Sequence, residues 1–185
     1  MSAWAYSKTD KKPTVPVIIH DGKVIQDSWT IIQYLEKAFP EKPRLLGDNI
    51  GLHRLFLDYC EQHVMIPLFL LCILDIYSRF PDQAIQNWFR ERIEKQLGGI
   101  TLENAAQDVT RHIAELKSAL QPIDGVLQDN EYITGPQVGY ADVVLASFLY
   151  TLQVFQKERL ENEILDNMGG LAAWWKRMKP YTEKQ

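Results

Sequence analysis

Two places in this sequence combine residue types that can do chemistry. The first is Asp27-Ser28, where a polar segment gives way to apolar residues at Ile31, Ile32, Leu35, Ala38 and Phe39. That pattern marks a helix start with a capping side chain. A helix N-terminus offers unpaired N–H groups and a positive dipole end to an anion, and an aspartate beside it can pair with an ammonium. The plainer reading is that Ser28 only caps its own helix. The second place is Tyr59 and His63, four residues apart and so on one helical face. Beside an apolar cleft such a pair can move a proton on a small molecule, because histidine titrates near neutrality. His53 lies close to the same side and Glu61 on another. The alternative is that these side chains are satisfied within a bundle or solvated.

Other chemistries find less support. Cys60 and Cys72 are the two cysteines, twelve residues apart on what reads as one helix. About 18 Å of rise separates them, and a disulfide needs Cα atoms within about 7 Å. Buried free thiols are expected. The four histidines show no zinc spacing, so no metal is expected. A formal net charge of −4 argues against nucleic acid as a partner. Uninterrupted apolar runs stay short of the roughly 18 to 20 residues of a membrane span; Val64 to Leu74 contains Pro67 and ends at Asp75. MSAWAYSKTDKK lacks a signal-peptide core. A cytoplasmic protein without membrane attachment is the expectation.

The elements that position these residues fall into two classes. VPVII and KVIQ read as short strands around an Asp21-Gly22 hairpin turn, followed by a helix that Pro40 stops. EKPRLLGDN reads as a linker. From Ile50 the pattern is helical. One helix or two span 50–79, with a kink near Pro67. Further helices are expected over Pro81 to Leu97, Ala105 to Gln128 with a bend or break at Pro122, Tyr140 to Phe155, Lys157 to Asn167 and Leu171 to Lys179. Tyr140 to Phe155 has so little polar face that it belongs at the centre of a bundle. Phe69, Tyr77, Trp88, Phe89, Tyr150 and Phe155 are expected in the core. Of Trp174 and Trp175, one is expected to pack and one to face a cleft or partner. The fold class is α+β: a small α/β unit over residues 1–41, a linker over 42–49 and a helical domain over 50–185.

Val15-Pro16, the Asp-Gly turn, Asp27-Ser28, the linker and the bundle come in an order that resembles the cytosolic glutathione transferases. The segment YITGPQVGYADVVLASFL adds to the likeness, with Asp142 at the third helical position able to reach back to the N-cap amide. Gly139 stands where the family prefers Ser or Thr. FPDQAIQNWFRERIEKQLG followed by ENA is most similar to the etherase-like and fungal branches. The resemblance implies a cis bond before Pro16, with Val15 offering its backbone to the cysteinyl part of glutathione. It implies Asp27 and Ser28 at the γ-glutamyl end, glutathione as co-substrate, and a homodimer.

The resemblance makes residues 1–41 a partial thioredoxin-like unit, and the family's half-domain normally opens with a strand-helix-strand unit carrying the Tyr, Ser or Cys that faces the glutathione sulfur. Such a unit needs about 30 residues, and thirteen precede Thr14. Tyr6 and Ser7 have the right types, but nothing aligns them. Thiol activation is therefore in question, and the remaining strands are expected to present an edge that invites a partner. Three functions follow. One is a glutathione-transferase-like enzyme acting on a hydrophobic electrophile. Another is a repurposed enzyme of this fold, carrying out glutathione-independent isomerisation, cyclisation or dehydration in secondary metabolism with Tyr59 and His63. The third is a non-catalytic binding or scaffold protein.

Overall fold

The computed structural model describes residues 15–182. They form two compact units, one ending at Arg54 and the other beginning at Leu55. The first unit opens with strands β1 (Val17–His20) and β2 (Lys23–Gln26), paired antiparallel with Val17 opposite Gln26 and His20 opposite Lys23. The two-residue turn between them has φ 49° at Asp21 and 73° at Gly22. Two positive φ values in succession match the right-handed twist of the strands, which is why Asp-Gly suits this position. Helix α1 (Ser28–Ala38) buries Ile31 and Ile32, and Ile25 of β2 is buried in the same unit. His20 Nδ1 lies 2.7 Å from the Tyr34 hydroxyl, with the imidazole also against Phe39.

The polar stretch after α1 is anchored. Glu36 accepts a hydrogen bond from the Leu46 amide at 2.6 Å and pairs with Arg44, whose Nη2 donates to the Gly47 carbonyl. Leu46 is buried beneath this cluster.

Helix α2 (Ile50–Tyr59), a π-helical turn (Cys60–Val64) and α3 (Met65–Ser78) run on as one stretch. The expected disturbance near Pro67 takes the form of this π-turn, closed by Met65 N–H donating to the Cys60 carbonyl. A proline ring crowds the carbonyl four residues back, here His63, and the wider turn accommodates it. Ile50–Ser78, at 29 residues, is long and apolar enough to cross a membrane by length and composition, which short uninterrupted runs did not reveal. Its apolar content has a use within the bundle, where Cys60, Val64, Leu68, Leu71, Cys72 and Ile73 are buried.

Helix α4 (Gln83–Gln96) is capped by Asp82, and the short α5 (Leu102–Ala106) by Thr101. Arg90 ties them together, bonding Glu94 and gripping both oxygens of Glu103 at 2.7 and 2.9 Å. Ile73, Phe89 and Leu102 form a cluster there, flanked by Phe69, Tyr77 and Phe80. Helix α6 (Val109–Asp129) starts at an Asp108 cap, so the helix expected from Ala105 is divided at that residue. It runs unbroken through Pro122.

Helix α7 (Tyr140–Phe155) is the central helix, with Ala141, Leu145, Leu149 and Leu152 fully buried. A single turn, α8 (Lys157–Arg159), leads into a second π-turn (Leu160–Ile164). Helix α9 (Gly169–Thr182) closes the unit. Trp174 and Trp175 both pack in the core, where one had been expected to face a cleft or partner. Trp88 and Tyr150 depart the other way: Trp88 is 56% exposed beneath the Arg92 guanidinium, and Tyr150 is exposed as well.

Two buried aspartates hold α9 in place. Asp142 Oδ1 accepts from the Ile133 amide and from Trp174 Nε1 at 2.7 Å, while Oδ2 accepts from the Gly139 amide at 2.8 Å. Asp124 accepts from the Leu171 amide at 2.8 Å and from Gln128.

Candidate functional site

In the first unit, Val15 and Pro16 lead into β1 while Asp27 and Ser28 follow β2. Because Val17 pairs with Gln26, these residues meet at one end of the hairpin. The Val15-Pro16 peptide bond is cis, and Val15 is 61% exposed. Beside them α1 begins. Asp27 is the N-cap and Ser28 the first helical residue, so the capping role considered for Ser28 falls to Asp27. Asp27 Oδ1 accepts from both the amide and the hydroxyl of Thr30, at 2.9 and 3.0 Å. The first amides of a helix lack acceptors within it, and the exposed cap presents that end to solvent.

Asp27 has φ 81° and ψ 126°. An L residue adopts such a conformation at a cost of about 1–3 kcal/mol, and strain of this kind clusters where a ligand is held. The anchoring bonds to Thr30 fix one carboxylate oxygen and the geometry of the turn.

Tyr59 and His63 belong to the other unit and share a face, with ring centroids 4.9 Å apart. The Tyr59 hydroxyl donates to the Ala119 carbonyl at 2.7 Å. Burial, with a smaller contribution from Cys60, raises the Tyr59 pKa, so the phenol stays protonated with its proton directed at α6. His63 is exposed and His53 buried. Cys60 and Cys72 are free and buried, as expected. Burial foremost pushes both thiols up to about 12, which leaves them inert as nucleophiles. No cluster of metal-ligating side chains occurs among the described residues. Tyr6 and Ser7 lie outside those residues.

Residues 51–181 match the family model for the C-terminal domain of glutathione S-transferase, and residues 2–43 match a model of its N-terminal domain. The chain belongs to the glutathione transferase family. It is 32% identical over 133 residues to glutathione S-transferase 1 of Dianthus caryophyllus, covering 71% of this chain and 51% of that protein. The chain spans about half the length of the curated relatives it matches. Among solved structures it is similar to glutathione transferase GSTFuA2 of the fungus Phanerochaete chrysosporium, with 26% identity, a TM-score of 0.80, and coverage of 96% of this chain and 77% of that one. It also shares its fold with CsGST63524 of Ceriporiopsis subvermispora, a glutathione S-transferase solved in complex with glutathione. That match has 20% identity, a TM-score of 0.81, and coverage of 93% and 73%.

The fungal likeness read from the segment around Trp88 is in keeping with these structures. The transferase motif around Asp142 has the geometry expected of it, with the carboxylate on the N-cap amide. Its further bonds to Ile133 and Trp174 were not foreseen, because they join residues distant in sequence. The left-handed backbone at Asp27 was missed too. Its one sequence signal is that Asp, with Asn and His, is enriched among non-glycine residues of positive φ.

Proposed function

We propose that the chain binds glutathione along Val15 and at the N-terminus of α1, and uses it as a glutathione-transferase-type enzyme on a hydrophobic electrophile. The observation that carries this reading is the exposed, strained Asp27 cap, next to Ser28 at the first position of α1. A carboxylate at that helix end is stabilised by open amides and the dipole. Ser28 Oγ would donate to the γ-glutamyl carboxylate of glutathione, and the Asp27 carboxylate would take its ammonium. Family membership and the glutathione complex of a related fold support the choice of ligand.

Calorimetric titration with glutathione tests the reading. Saturable heat is expected, weakened by Asp27→Asn and by Ser28→Ala. Absence of binding at millimolar glutathione would sink it. Turnover is a separate question, since the nucleophile is the thiolate, and its formation needs a group near the sulfur. Conjugation of glutathione to an aryl halide, measured beside binding, separates a site that activates the thiol from one that only holds it.

A second reading rests on the ring contact of Tyr59 with His63. With the Tyr59 proton held by Ala119, His63 would be the group that moves a proton in a glutathione-independent reaction. Activity that survives removal of glutathione and is lost in His63→Ala would favour it. We further propose a cytoplasmic homodimer. Leu55, Met65 and Ile66 are exposed on the first stretch of the bundle unit, and Leu55 is 66% exposed. Sedimentation of a monomer at micromolar concentration would contradict the dimer.

A further inference from the structure

Thr30, at the third position of α1, makes a bond that capping does not require. An N-cap side chain satisfies a helix end by accepting a backbone N–H from the second or third helical residue. The Thr30 amide fills that role, donating to Asp27 Oδ1 at 2.9 Å. The Thr30 hydroxyl then donates to the same oxygen at 3.0 Å. In a capping box the third side chain is a Glu or Gln that accepts from the backbone N–H of the cap. Here the third side chain is a donor, and it turns to the carboxylate of the cap instead.

The second bond has a geometric consequence. The terminal torsion of an aspartate is broad and nearly two-fold, so with the amide alone either oxygen could serve as the cap. A carboxylate oxygen accepts about two hydrogen bonds. With the amide and the hydroxyl both on Oδ1, that oxygen is filled, and two donors from one residue hold the group. Oδ2 takes no hydrogen bond among the described residues. The backbone of Asp27 is held as well, since its carbonyl accepts from the Ile31 amide at 2.8 Å. Asp27 and Thr30 are both exposed. A negative charge whose open oxygen has a set direction is prepared for a cation that donates hydrogen bonds, such as a primary ammonium.

The geometry points to Thr30 as a positioning residue for the ammonium at the γ-glutamyl end of glutathione, acting through Asp27 without touching the ligand. This rests on the glutathione reading above and adds the residue that aims the Asp27 carboxylate. Thr30→Val removes the hydroxyl and keeps the amide and the branched shape. Thr30→Ser restores the hydroxyl.

The test is calorimetric titration of the full chain and both variants with two ligands. One is glutathione; the other is glutaryl-cysteinylglycine, which is glutathione with its ammonium replaced by hydrogen. Thr30→Val is expected to bind glutathione about five-fold more weakly, through loss of preorganisation, and to bind the ammonium-free ligand as the parent does. Thr30→Ser is expected to return glutathione affinity to that of the parent. Equal glutathione affinity in Thr30→Val, equal weakening of both ligands, or failure of serine to rescue would each overturn the role of Thr30 while leaving glutathione binding standing. Failure of the parent chain itself to bind glutathione would overturn both.

Discussion

Gly170 has the closest surroundings of the described glycines and gives a sharp test of the bundle's packing. It lies in the first turn of α9 against α6. A methyl group built there would sit 2.6 Å from the Asp124 carbonyl oxygen, 2.7 Å from the Gln128 amide nitrogen and 2.8 Å from the Leu127 carbonyl carbon. All three are backbone atoms, so no side chain can swing aside. Gly170→Ala must push the two helices apart, and overpacking of this kind costs about 1–3 kcal/mol. The same shift stretches the buried bond from the Leu171 amide to Asp124, worth another 1–3 kcal/mol or so because the carboxylate loses a donor it needs. Alanine's helix propensity returns up to about 1 kcal/mol. The net expectation is a loss of about 1–5 kcal/mol. Gly125 supplies the control. It sits in α6 with nothing within 4 Å of its would-be methyl, so Gly125→Ala should stabilise by about 0.5–1 kcal/mol. Urea denaturation of both variants, with unchanged m-values, reads the two effects. If Gly170→Ala is as stable as the parent, the close approach of α6 and α9 is wrong.

Three further outcomes are expected. Asp142→Ala should cost about 4 kcal/mol or more in urea denaturation, because it strands the buried donors of Ile133, Gly139 and Trp174. Asp142→Asn keeps one acceptor oxygen and should cost clearly less; equal losses would argue against the shared carboxylate. Asp27→Gly should raise the stability of the first unit by about 1 kcal/mol, since relief of strain outweighs the few tenths lost from the cap. The same change should weaken glutathione binding, and a variant that is more stable yet binds equally well would remove Asp27 from the site. Cys60 and Cys72, with thiols near 12, should hold only about one part in ten thousand as thiolate at pH 8. They should therefore react with a disulfide reagent only as fast as the chain unfolds; rapid labelling of the native protein would contradict their burial.

Much of this architecture was legible because local signals agreed with one another. The Asp-Gly turn, the Asp27 helix start and the apolar stretch from Tyr140 each combined propensity, spacing and burial in one direction. The misreadings came where a distant residue changed the local balance. Pro122 suggested a bend or a break, and α6 runs through it without a break. Asp108 was a readable cap that the surrounding alanines concealed. Trp88 counted as core by composition alone, whereas its helical phase places Phe89 inward and leaves Trp88 to stack under Arg92.

The candidate site was legible in its residue types and not in its geometry. Spacing can place an aspartate and a serine at a helix start. It cannot say which of them caps, and that assignment decides what each can do for a ligand. With Asp27 as the cap, Thr30 holds one of its carboxylate oxygens, and Ser28 stands inside the helix with its hydroxyl uncommitted to the Asp27 role. The cost of the unusual Asp27 backbone is borne whether or not a ligand is present. A glycine would avoid it and would cap nearly as well, which makes the aspartate hard to account for by stability alone. On the proposed reading, a carboxylate kept at that position against its own backbone preference would take the ammonium that the γ-glutamyl end of glutathione carries beside its carboxylate.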